Sequence, residues 1–152
     1  MRRAGRSESH LIPEIVVHNR QRKISIDVAQ LQRFAERALE LCLRSPRKTS
    51  TLMNLAEIDV VLVSDRSMSE LHRRFMQIKG PTDIITFQHG EIFIGAETAR
   101  RQALEFGSST RREIQLYLVH GLLHLHGYDD KSAAPARLME ARQRQILRAA
   151  LK

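Results

Sequence analysis

Two histidines four residues apart and a nearby aspartate are the side chains of this 152-residue chain that best suit metal chemistry. On a helix, His120 and His124 would leave the same face and reach one ion. Gly127 is placed to end that helix in a left-handed turn, which would let the chain return and offer Asp130 as a third ligand. Three protein ligands with one open position predict a catalytic zinc site, because structural zinc sites hold four protein ligands.

The sequence leaves alternatives open for the third ligand and for the histidine pair itself. Asp129 and His126 are the rival ligands, but His126 would point away from the pair on a continuing helix, and we expect it to be a loop or surface side chain. A helical histidine pair can also be an ordinary solvated face. The metalloprotease pattern H-E-x-x-H is absent, since Gly121 replaces its general base. The pattern therefore favours a metal hydrolase other than an ordinary zinc peptidase.

The segment from His120 to Asp130 resembles the H-G-x-L-H-L-x-G-Y-D-H signature of the YbeY family of bacterial metal-dependent endoribonucleases, and ten of its eleven positions match. The departure is Asp130, where the family usually has His. Residues 80–87 are similar to the family segment K-P-T-D-V-L-S-F, and the whole resemblance covers about residues 57–147. It implies one Zn²⁺ ion held by His120, His124 and Asp130, with the two histidines acting in catalysis through the water that the ion activates.

Family members often carry an arginine for RNA cleavage in a Y-R-G-x-x-x-P-T-D context, and an alignment without gaps places Met76 there. Arg73 and Arg74 lie one turn earlier and are the candidates to replace it. The resemblance implies a single-strand-specific endoribonuclease in 16S rRNA 3′ end maturation and ribosome quality control. Met76 favours an alternative, a non-catalytic or weakly active metal-containing assembly factor that binds rRNA or a ribosomal protein. A third interpretation is a metal hydrolase of a small substrate.

The charge of the chain predicts a polyanionic partner. Lys and Arg number 25 against 17 Asp and Glu, which gives a net charge of +8. Together with a hydrolytic metal site, this charge favours a phosphodiester over a peptide as substrate. The expected partners are single-stranded RNA or rRNA, ribosomal proteins and the small ribosomal subunit, with no membrane. Because Trp is absent and only two Tyr and five Phe occur, we expect RNA recognition through phosphate charge and shape, with no array of stacking aromatic residues.

Length and composition predict one domain over residues 1–152, with residues 1–10 disordered. A single Cys and the absence of a long apolar run predict a reducing, cytoplasmic setting. The predicted fold is α+β, a small mixed sheet flanked by helices, with the metal site at the C-terminal end of a central helix. Strands are expected at 14–18, 23–26, 57–63, 83–87 and 91–94, the last two as an antiparallel hairpin.

Helices are predicted from apolar residues at helical spacing and from capping signals. They are expected to begin after Asp27, at Ser67 with Glu70, at Glu97, at Thr110 with Glu113, and near Pro135. The fourth of these carries the histidines. On it, Ile114, Leu118, Leu122 and Leu125 are expected to be buried, whereas Tyr117 is expected to face the cleft with His120 and His124.

Overall fold

The computed structural model describes residues 12–151, so the start expected to be disordered lies outside the described residues. Within this range the chain forms four strands and five α-helices: β1 (Glu14–Asn19), α1 (Val28–Leu43), β2 (Glu57–Val63), α2 (Asp65–Met76), β3 (Ile84–Phe87), β4 (Glu91–Gly95), α3 (Ala96–Phe106), α4 (Thr110–Leu125) and α5 (Ala133–Ala150). A short 3₁₀ turn, Leu52–Asn54, precedes β2. None of the helices in this range has the length and apolar character needed to cross a membrane.

The four strands form one mixed sheet in the order β1-β2-β4-β3. β1 pairs with β2 and β2 with β4 in parallel, whereas β3 and β4 form the antiparallel hairpin expected from the sequence. Alternate residues of β2, namely Ile58, Val60 and Leu62, are fully buried in the main core. The α+β prediction of a small mixed sheet flanked by helices is confirmed.

Helix α4 is the centre of the molecule. It packs against α1, α3 and α5 as well as against β3 and β4, and the residues expected to form its buried stripe are at most 1% exposed. A Cβ atom added to Gly121 would lie 2.8 Å from Cγ2 of Ile92, closer than such atoms can pack. The absence of a glutamate after His120 therefore has a packing reason, because the helix touches the sheet at this position.

Two local predictions differ from the structure. Residues 23–26 do not join the sheet, because the Gln21 side chain bonds both backbone groups of Ile24, accepting from its N–H at 2.9 Å and donating to its carbonyl oxygen at 2.8 Å. Helix α2 begins at Asp65 instead of near Ser67, because Ser64 directly after β2 already caps it by accepting from the Ser67 N–H at 3.2 Å. A serine one position before the predicted start, Ser109, likewise caps α4.

Candidate metal centre

The three side chains predicted to bind a metal lie together at the C-terminal end of α4. Nε2 of His120 and Nε2 of His124 are 3.1 Å apart, and each lies 3.8 Å from Oδ2 of Asp130. Around a tetrahedral ion with bonds of roughly 2.0–2.2 Å, neighbouring donor atoms are about 3.3–3.6 Å apart. Two imidazoles and one carboxylate at these distances form a donor set that could hold one metal ion with little rearrangement.

The turn after α4 brings the aspartate back to the histidines. The helix ends at Leu125, and Gly127 takes a φ of +93°, in the left-handed region that favours glycine. The Gly127 N–H donates to the carbonyl oxygen of His124 at 3.1 Å, and the Tyr128 N–H donates to that of Leu123 at 3.0 Å. These two bonds satisfy the last carbonyls of the helix and reverse the chain, as the glycine predicted.

Of the two consecutive aspartates, only one faces the histidines. The Asp129 carboxylate accepts a hydrogen bond from the backbone N–H of Lys131 at 2.8 Å and is exposed. Asp129 is thus engaged in its own turn, and Asp130 occupies the position beside the imidazoles. The two neighbouring side chains point in different directions, so the turn brings only one of the two carboxylates to the histidine pair.

His126, expected to be a loop or surface side chain, is buried with 1% of its surface exposed. Its Nδ1 lies 2.7 Å from the Ser50 hydroxyl and its Nε2 lies 2.7 Å from the carbonyl oxygen of Ser45. Burial lowers its pKa, so the ring is held neutral as a structural element. It is directed to the segment that follows α1 and away from the histidine pair, so the expected direction is right and the expected exposure is wrong.

Residues 45–51, which we call the strap, contact the turn that carries Asp130 from outside. The Arg47 guanidinium donates to the Gly127 carbonyl oxygen at 3.2 Å and lies 3.8 Å from the centre of the Tyr128 ring. At the other end, the Thr51 N–H donates to the carbonyl oxygen of Leu125 at 2.9 Å. The strap could not be predicted from the sequence, because nothing in its composition indicates which turn it contacts.

A further residue missed from the sequence is Gln143 of α5, whose Oε1 lies 2.9 Å from Nδ1 of His120. An amide oxygen only accepts hydrogen bonds, so this contact places the imidazole proton on Nδ1 and leaves the lone pair of Nε2 for a metal. Burial, and next the nearby His120, lower the pKa of His124. Both effects favour the neutral form of the His124 imidazole, the form that binds metal ions.

The histidines open into a cleft of about 280 Å³ that is lined by Met76, Ile84, Ile85, Thr86, Gln88, His120 and His124. The wall is formed by the end of α2 and by strand β3, opposite α4. Tyr117, expected in this cleft, is instead buried with 6% of its surface exposed, because α4 is enclosed around most of its circumference. That burial, followed by the charge of Glu113, raises its pKa.

Comparison with known proteins identifies the family of this chain. The sequence profile of the family described as Endoribonuclease YbeY matches residues 16–150. The chain belongs to the YbeY family. It is 40% identical over 111 residues to the Endoribonuclease YbeY of Moorella thermoacetica, covering 60% of this chain and 71% of that protein. It is 32% identical over 148 residues to that of Geobacter metallireducens, covering 88% and 93%.

The fold is also similar to a solved structure. The solution structure of TM1509 from Thermotoga maritima superimposes with a TM-score of 0.64 at 23% sequence identity, over 90% of this chain and 88% of that chain. This likeness concerns the fold alone. It supports the arrangement of a four-stranded sheet with five helices that positions the histidines.

The position where the YbeY pattern often has arginine is part of the cleft wall. Met76 lines the cleft there, whereas Arg73 is exposed and pairs with Glu70 at 3.4 Å. The Arg74 guanidinium carbon lies 5.8 Å from the centre of the Phe75 ring. Neither arginine is among the residues that line the cleft, and a catalytic role for either stays a prediction.

Proposed function

We propose that this protein is a zinc-dependent, single-strand-specific endoribonuclease that acts in rRNA processing. The observation that carries the proposal is the group of His120, His124 and Asp130, at distances that suit one ion and open to a cleft, in a chain of the YbeY endoribonuclease family. Two nitrogen donors and one carboxylate favour zinc over magnesium or calcium, which prefer oxygen ligands.

The residues of the site would have three roles, which are to bind the ion, to orient one of its ligands and to shape the cleft. His120, His124 and Asp130 would hold the ion, and a bound zinc ion supplies Lewis-acid activation of water and of a phosphoryl oxygen. Gln143 orients His120 through Nδ1 and keeps Nε2 free of its proton. The apolar side chains of the cleft wall, including Met76 and Ile84, would exclude water on one side of a bound phosphate. A paired helix would not enter a cleft of about 280 Å³, which supports an unpaired strand as substrate.

The RNA substrate, the biological process and the partners are inferred from the family. We infer that the substrate is the 3′ end of 16S rRNA, that the protein contributes to ribosome quality control, and that its partners include the small ribosomal subunit or one of its proteins. The net charge of +8 supports a polyanionic partner. An rRNA substrate would place the protein in the cytoplasm.

Incubation of the zinc-loaded protein with a single-stranded rRNA fragment, with and without a chelator, tests the activity. We expect cleavage of the single strand that stops on chelation and resumes on addition of zinc, and no cleavage of the same sequence in a duplex. Cleavage that persists after complete removal of the metal, or equal cleavage of the duplex, would contradict the proposal.

One observation favours a second candidate, the assembly factor with weak or no nuclease activity. Met76 gives the cleft an uncharged side chain at the position where the family pattern often has arginine. In that case the wild-type protein binds the rRNA fragment and its metal without cleaving, and Met76→Arg gains cleavage activity. If the wild-type protein already cleaves and Met76→Arg changes the rate less than about twofold, the missing arginine is not what limits the reaction.

A further inference from the structure

The fold gathers aromatic side chains beside the metal cleft although the sequence shows no aromatic array. The Phe87 ring of β3 packs edge-to-face against Phe75 of α2, with 5.2 Å between ring centres. On the same strand end, His89 stacks against Phe87 at 5.7 Å with an angle of 21° between the rings. We call Phe75, Phe87 and His89 the aromatic group.

The aromatic group reaches the surface in an apolar patch. Phe75 is 54% exposed, and its neighbours Met76 and Ile78 are 42% and 49% exposed. The His89 side chain is 68% exposed. Three exposed large apolar side chains thus lie within four positions, and clusters of this kind mark binding sites more often than single exposed residues do.

The patch is continuous with the metal cleft. Met76 lines the cleft, and so do Thr86 and Gln88, the neighbours of Phe87 in the sequence. Because successive side chains of a strand point to opposite faces, Phe87 points to the face of β3 opposite that of Thr86 and Gln88. β3 is also the last strand of the sheet on this side. A chain leaving the cleft over this edge would therefore meet Phe75 and His89.

The charge around the patch favours a nucleic acid over a protein as occupant. Arg73, Arg74 and Lys79 are exposed beside it, and the Arg74 guanidinium lies 5.8 Å from the Phe75 ring. Proteins that bind single-stranded nucleic acids combine basic side chains, which follow the phosphates, with exposed rings, on which bases stack.

We propose that the aromatic group is a stacking site for an unpaired base of the RNA strand whose backbone occupies the metal cleft. The inference rests on the proposed function and adds a base contact where the sequence predicted recognition by phosphate charge and shape. Stacking on a ring tolerates any base, so the site would select unpaired RNA without selecting a sequence.

The test compares a labelled single-stranded RNA of about 12 nucleotides with an RNA of the same length that lacks bases at its central positions. Binding to the zinc-loaded protein is measured by fluorescence anisotropy at low temperature, and a gel shows that the RNA stays intact. Phe75→Leu removes the ring and keeps an apolar side chain, and Phe75→Tyr restores a ring. Phe106→Leu is the matched control, since Phe106 is 67% exposed at the end of α3.

We expect Phe75→Leu to weaken binding of the complete RNA by about five- to tenfold, and to leave the RNA without bases unaffected, since it has nothing to stack. Phe75→Tyr and Phe106→Leu should bind both RNAs as the wild type does. An unchanged affinity of Phe75→Leu for the complete RNA, or an equal loss for both RNAs, would overturn the stacking site. Either of these binding results would leave the proposed zinc-dependent cleavage untouched. Absence of zinc-dependent cleavage by the wild-type protein would instead contradict the proposed function.

Discussion

At the scale of single residues, Gln143 decides which nitrogen of His120 carries the imidazole proton. Gln143→Leu keeps the volume of the side chain but leaves Nδ1 of His120 without its acceptor, 2.9 Å away in the wild type. We expect zinc affinity to fall by about 10- to 100-fold, the usual effect of losing such a partner. Competition with a coloured chelator measures this affinity.

The matched control for this prediction is Gln145→Leu on the same helix. Gln145 is exposed, and its Oε1 accepts from the Arg142 guanidinium at 2.7 Å, so it should leave zinc affinity unchanged. An equal affinity in the Gln143 and Gln145 variants would show that His120 is oriented without Gln143.

The two aspartates give a second prediction at this scale. Asp130→Ala should lose the metal, because only Asp130 lies 3.8 Å from both imidazoles. Asp129→Ala removes a bond to the Lys131 N–H and should keep it. Asp130→His should retain zinc, since imidazole and carboxylate bind it at similar distances. Elemental analysis of the three variants decides, and a metal lost from Asp129→Ala but kept in Asp130→Ala would place the third ligand one residue earlier.

The features of the site that could be predicted depend on residues that are close together in the sequence. The spacing of His120 and His124 and the glycine stop act within a few residues, so their geometry follows from helix periodicity and one left-handed turn. Gln143 and Arg47 reach the site through the packing of α5 and of the strap, and no local pattern encodes those contacts. The aromatic group was missed for the same reason, since Phe75 and Phe87 meet only when α2 packs on the sheet.

At the scale of elements, the turn after α4 gives a prediction about stability. Gly127 has a φ of +93°, and a Cβ there would overlap the Thr49 side chain and lie 2.9 Å from its carbonyl carbon. We expect Gly127→Ala to lower the free energy of unfolding by more than about 2 kcal/mol, because it combines backbone strain with a clash. Urea unfolding in the presence of a chelator measures this without the contribution of the metal.

Gly107, which ends α3, provides the comparison. Its φ is +67° and a Cβ there would have nothing within 4 Å, so Gly107→Ala should cost only about 1 kcal/mol of backbone strain. Equal losses of stability in the two variants would show that the contact between Thr49 and the turn is unimportant.

The helices and strands were predicted correctly where one sequence pattern was dominant. The hairpin of β3 and β4 and the strand β2 follow from their apolar runs, and α3 follows from its amphipathic pattern and the glycine at its end. The beginning of α2 was misplaced because Ser64 and Ser67 lie close together, and either of them could cap the helix. The stretch at 23–26 has the composition of a strand, but Gln21 satisfies its backbone and no neighbouring strand is needed.

At the scale of the whole molecule, the net charge of +8 predicts how RNA binding depends on salt. If phosphate contacts provide most of the affinity, the logarithm of the binding constant should fall linearly with the logarithm of the salt concentration, with a slope of about −0.7 for each phosphate neutralised. Titrations of single-stranded RNA at several salt concentrations measure the slope. Binding that does not change with ionic strength would favour a protein or a small molecule as the partner.

The central claim is that the end of α4 and the turn after it hold one metal ion, and the metal content of the purified protein tests it most directly. We expect about one zinc ion per chain in the wild type and none in His120→Ala or His124→Ala, because two remaining ligands cannot compete with water. His18→Ala, which removes a histidine paired with Asp59 elsewhere on the sheet, should keep the ion. A protein without stoichiometric metal after zinc loading, or the same zinc content in all three variants, would contradict the metal centre.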